Sequence, residues 1–238
     1  LAQYLDNNAD RTPDDLSVVK VLVNLNASVV MAASEDDDEL ISEFLPERFH
    51  EMINRGELYV QSLYGEETGS LEVADGDSFD ASLEEILHLI SSVGYAEAYQ
   101  ETFGETAGST IARYMDNARG GHFEERQPSD CDDEPNSNWE NGQCAVPPRG
   151  EYPENAWYTY DDTTCSYGCM VTEYFYWALT TLLGAQSGYG RCEEISNEWS
   201  LCTTEQLKSR DRDIYTLLTD PQYALPTTLP DGNYVHAN

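Results

Sequence analysis

Positive charge is what this chain lacks most. Its 238 residues hold 12 Lys+Arg against 45 Asp+Glu, a net charge of −33. The only lysines are Lys20 and Lys208. So acidic a field repels phosphate backbones and anionic lipid surfaces, which excludes nucleic acid as a partner class. No run of about 18 apolar residues occurs, so no membrane insertion is expected. There is no Gly-x-Ser-x-Gly elbow, no phosphate-binding glycine loop and no dinucleotide fingerprint. Cys-x-x-Cys pairs are absent too, which argues against a zinc ribbon. The chain opens at Leu1 with neither methionine nor signal peptide, as expected of a processed chain.

What is present suits a folded protein. Hydrophobic residues make up 40%, with 16 Tyr and 4 Trp, whereas acidic disordered chains are poor in aromatics. The length is ample for a buried core. One globular domain over 1–238 is expected, with a helical half (1–123) and a disulfide-bonded half (124–238). Six cysteines, Cys131, Cys144, Cys165, Cys169, Cys192 and Cys202, all lie in the second half. Spacings of 13, 4 and 10 suggest the local pairs 131–144, 165–169 and 192–202, although six cysteines allow other connectivities. Disulfides imply an oxidising, extracellular setting, so the protein is expected to be secreted. The sequon Asn26-Ala27-Ser28 makes Asn26 a candidate glycosylation site.

The pattern reads as mainly α, or α+β with minor strand content: a single compact helical domain with a disulfide-stapled, irregular C-terminal half. Residues 1–5 look like the end of a helix. A polar loop follows, then a broad apolar helix over 16–33. Ser34 could cap a helix over 39–54, which Pro46 would kink or restart and Gly56 would end. Residues 58–64 suggest a strand and 65–78 a loop. Asp80 or Ser82 would cap a helix over 83–93, stopped by Gly94. Further helices are expected over 109–118, closed by Gly120-Gly121, and over 170–183, 193–199 and 210–218. Residues 124–155 read as irregular, and the proline-bearing tail as extended.

The first loop carries the clearest chemistry. Asp6, Asn8, Asp10 and Asp14 place side-chain oxygens at relative positions 1, 3, 5 and 9, and Thr12 at position 7 would offer its carbonyl. Calcium takes about six to eight hard oxygens, and such alternation aims successive side chains at one ion. Here the chain resembles the calcium loops of EF-hands, dockerins and thrombospondin type 3 repeats, over residues 6–15 only. The glycine those loops carry at position 6 is Arg11 here, and their glutamate at position 12 is Ser17. Asp15 would supply the last oxygens instead. The alternative is an acidic helix-capping turn.

A second metal site is suggested by two helical segments. Glu84 and His88 are four residues apart and share a helix face. Glu173 stands in an apolar, aromatic helix, where a carboxylate needs a partner. His122 follows a Gly-Gly turn that could aim it inward. Two helices offering Glu/His and Glu resemble the layout of zinc peptidases, although their His-Glu-x-x-His signature is missing. The resemblance implies His88, His122 and Glu173 as zinc ligands, with Glu84 or Glu85 as a ligand or general base. In the plainer reading, His88 is a core histidine and Glu173 pairs with Arg113 or Arg119.

Two functions follow as expectations. One is a secreted, calcium-stabilised metallohydrolase. The other is a non-enzymatic extracellular matrix or surface protein that binds divalent cations and self-associates.

Overall fold

The computed structural model describes residues 1–34, 46–68, 80–127, 130–131 and 143–234. The chain is mainly α, with one two-stranded sheet among the described residues. It divides by its packing into two units. The first comprises Leu1–Ala98 with Pro221–Asn238, and the second Tyr99–Asp220.

In the first unit a single helical turn, Ala2–Leu5, leads into the polar loop and then α1, Leu16–Asn24. Asp15 caps α1 by accepting from the amides of Ser17 and Val18. The helix expected to reach residue 33 stops at Asn24. Asn26 takes a left-handed φ of 50°, the Asn26 amide donates to the Val23 carbonyl, and that of Ala27 to Leu22. This is a Schellman stop with asparagine in the glycine position. The chain beyond it becomes β1, Ser28–Ala32, in parallel register with β2, Val60–Tyr64. Val29 and Val30 extended a helical apolar pattern, yet β-branched residues pack as well on a pleated surface.

Between the strands lies α2, Glu47–Asn54, which Pro46 starts. The positive φ of Gly56 ends it, as expected. Residues 39–45 of the expected helix, and 69–78 of the expected loop, lie outside the described residues.

α3, Ser82–His88, does not stop at Gly94. It continues as a π-helical stretch, Leu89–Tyr95, and a last turn, Ala96–Ala98. Gly94 serves as a contact point. A Cβ there would stand 2.8 Å from Val18 Cγ1 and 3.4 Å from Leu22, so its absence lets α1 close onto the π-helix. At the start of α3, Asp80 Oδ1 accepts from the Ser82 amide at 2.9 Å. Tyr4 is buried and donates to the Leu83 carbonyl at 2.8 Å, fixing the first turn to α3.

The second unit is built on α5, Tyr167–Leu182, which Ser166 caps. Its buried residues lie on every side, as in a helix that is itself the core. α4, Thr110–Arg119, packs on it. α4 is capped by Ser109 and closed by Gly120 at φ 80°. The expected helix over 193–199 is one turn, Arg191–Glu194. The last helix begins at Arg212 (α7, Arg212–Leu218), and another precedes it, α6, Thr204–Arg210. α6 opens with a capping box between Thr203 and Gln206. Three disulfides join Cys131–Cys144, Cys165–Cys169 and Cys192–Cys202, the pairs their spacing suggested. No helix among the described residues is long and apolar enough to cross a membrane.

Asp211 and Arg119 are buried charges of this core, as is Glu173 on α5. Asp211 caps α7 through the Ile214 amide and accepts from Trp157 Nε1 and Tyr174 Oη. Arg119 is fully buried, donates to the Ala145 carbonyl and the Tyr152 hydroxyl, and lies 4.9 Å from the Phe123 ring centre. The Phe123 and Tyr152 rings flank its guanidinium. Arg113 donates to Thr110 Oγ1.

Candidate metal sites

The Asp6–Asp15 loop is organised around one carboxylate. Asp6 is only 6% exposed. Its Oδ1 accepts from the Asp10 amide at 3.2 Å, and its Oδ2 from the Arg11 amide at 2.8 Å and the Tyr234 hydroxyl at 2.5 Å. The Asn8 side-chain oxygen also accepts from the Asp10 amide, and Asp10 Oδ1 accepts from the Thr12 amide. Alternate side chains are thus folded back over the loop's own backbone. Arg11, standing where the similar calcium loops carry glycine, adopts the left-handed φ of 74°. The sharp turn is kept, at a strain of about 1–2 kcal/mol for a residue with a Cβ.

The Tyr234 hydrogen bond holds the Asp6 carboxyl below its ordinary range, helped by backbone amides and opposed by desolvation. The same bond raises Tyr234. Asp14 Oδ2 accepts from the Asn7 amide at 2.6 Å, and Asp15 Oδ1 caps α1. The loop carries four carboxylates against the single cation of Arg11.

Of the expected second metal set, Glu84, Glu85 and His88 belong to the first unit, and Glu173 and His122 to the second. In the first, Glu84, Glu85 and His88 lie along α3. A Glu84 oxygen and a His88 ring nitrogen come within 4.8 Å of each other. Glu85 Oε2 lies 3.9 Å from His88 Nδ1 and also accepts from Gln61 Nε2. His88 is buried.

In the second unit, Glu173 is 7% exposed within α5. Burial, followed by the charges of Glu173 and Asp161, lifts the Glu198 carboxyl above its ordinary range. His122 turns back across Gly120-Gly121 onto Asp116, with Nδ1 at 3.0 Å from Oδ2, and its ring meets Tyr167 edge-on at 5.0 Å. The Tyr167 hydroxyl donates to that same oxygen at 3.0 Å. Burial, then Asp116, pushes the Tyr167 phenol above its ordinary value.

His122 and Tyr167 line a cavity of about 310 Å³ together with Glu105, Glu124 and Glu125. Two of its carboxylates already serve the fold. Glu105 accepts from Thr172 Oγ1, and Glu125 from the Tyr167 amide at the start of α5. None of these His122 neighbours was legible as such in the sequence. The one available signal was Asp116, placed six residues before His122 across a Gly-Gly turn.

Asn26 is exposed, and its amide nitrogen donates to the Glu57 carbonyl at 2.8 Å. No protein-family model, curated protein or solved structure matches the chain.

Proposed function

We propose that this is an extracellular calcium-binding protein whose Asp6–Asp15 loop holds the ion. The observation that carries the reading is the Asp6 carboxylate. It is nearly buried inside the loop, Oδ2 accepts from the Arg11 amide and the Tyr234 hydroxyl, and Oδ1 from the Asp10 amide. Calcium would draw oxygens from Asp6, Asn8, Asp10 and Asp14 and the carbonyl of Thr12. Charge supports the same conclusion: a net −33 strains the compact state by self-repulsion, which bound divalent ions relieve. The three disulfides support an oxidising, extracellular location, where calcium is abundant. Glycosylation at the exposed Asn26 would fit that location.

The test is thermal unfolding with calcium and with a chelator. Calcium at about 100 times its Kd stabilises by about 2.7 kcal/mol. The wild type therefore melts higher in calcium, and Asp10→Ala loses that difference. Equal shifts in both proteins reject the loop as the site.

A second reading, a metal-dependent hydrolase, draws support from the closeness of Glu84 and His88 on α3. It predicts about one equivalent of zinc in protein purified without chelator, and loss of that zinc in His88→Ala.

A further inference from the structure

The segment after Pro221 returns to the N-terminal loop and is tied to it at successive points. Tyr95 Oη donates to the Ala224 carbonyl at 3.3 Å, which fixes the start of this strap to the π-helix. Asn7 then holds it from both ends of one side chain. Its Nδ2 donates to the Leu225 carbonyl at 3.2 Å, and its Oδ1 accepts from the Thr227 amide at 2.7 Å. Gln3 does the same further on, donating to Asp231 Oδ1 at 2.6 Å and accepting from the Gly232 amide at 3.2 Å. The strap ends on the Tyr234–Asp6 hydrogen bond. Each anchor on the N-terminal side lies within or just before the candidate calcium loop.

We propose that this strap is the closing element of the calcium loop, and that Tyr234 is the positioning residue that sets its affinity. The inference rests on the calcium reading above. Its physical content is the division of labour on Asp6. A carboxylate oxygen has two lone pairs, and both on Oδ2 are taken, one by the Tyr234 hydroxyl. That bond restrains the rotation of the carboxylate and would hold it in one orientation for the ion. Groups that orient a metal ligand from behind typically carry a 10- to 100-fold share of metal affinity.

Linkage makes the effect reciprocal: the factor by which the docked strap tightens calcium is the factor by which calcium favours docking. The strap reports this itself. The Thr227 and Gly232 amides are bonded to side chains of Asn7 and Gln3, so they exchange with solvent when the strap lifts.

The experiment compares wild type with Tyr234→Phe, which removes the one hydroxyl that donates to Asp6 Oδ2 from the strap. Calcium affinity is measured by calorimetry, and hydrogen exchange over 224–234 is followed with and without calcium. Expected are an affinity about 10-fold weaker in the variant, and exchange at Thr227 and Gly232 that calcium slows in wild type and slows less in the variant. Unchanged affinity in Tyr234→Phe overturns the inference, as do strap amides indifferent to calcium in a wild type that binds it. A wild type that binds no calcium overturns the calcium reading and this inference with it.

Discussion

The hydroxyl of Tyr174 donates to Asp211 Oδ2 at 2.7 Å in the core of the second unit, and Trp157 Nε1 shares that oxygen at 2.8 Å. One buried carboxylate therefore joins α5, the Trp157 segment and the start of α7. Tyr174→Phe removes a hydrogen bond to a charged group and is expected to cost about 1.5–3 kcal/mol. Chemical denaturation checks this, and a loss below about 0.5 kcal/mol contradicts it.

Asp211 also gives the fold a pH dependence. Burial raises its carboxyl above the ordinary value despite the hydrogen bonds it accepts. A group so shifted contributes fully below its unfolded value, near about 4, and the contribution is lost as pH rises through the folded value. Asp211→Asn carries no charge at either end of that window. Its unfolding free energy is expected to fall less than that of wild type between pH 4 and 7, as read from denaturant midpoints.

Gly94 is the point where α1 meets the π-helix. Gly94→Ala places a methyl group 2.8 Å from Val18 Cγ1, so either that side chain leaves its rotamer or the helices part. Overpacking of this kind costs about 1–3 kcal/mol. Val18→Ala in the same chain returns part of the space. A double-mutant cycle should therefore show Gly94→Ala to be less harmful in the Val18→Ala background.

Much of the helical fold was legible because its stops and starts are local. Gly56 and Gly120 each end their helix through contacts a few residues away, whereas the Ser166 cap, which starts α5 three residues before the expected Met170, went unread. The disulfide pairs were legible for the same reason, since each joins cysteines near in sequence. β1 was not, because Val29 and Val30 satisfy a helical and a strand pattern alike, and only pairing with β2 decides between them. Gly94 looked like a terminator because its role depends on Val18, a partner far away in sequence. α6 was missed although Thr203 and Gln206 spell a capping box. At the candidate sites, the loop oxygens were readable from their alternation. The Tyr234–Asp6 bond spans 228 positions and has no local signature. His122 was expected to face inward with zinc ligands, and its anchoring by Asp116 and Tyr167 depends on how α4 and α5 pack.

The central claim is that the Asp6–Asp15 loop binds calcium as a defined site rather than through diffuse surface acidity. Calorimetric titration of chelator-stripped protein, in moderate salt to screen the general field, measures this most directly when wild type and Asp10→Ala are compared. The account predicts one saturable calcium site per chain in wild type and its loss in the variant, whose remaining carboxylates still leave a large negative charge. Identical isotherms, or heat that never saturates in either protein, would contradict it.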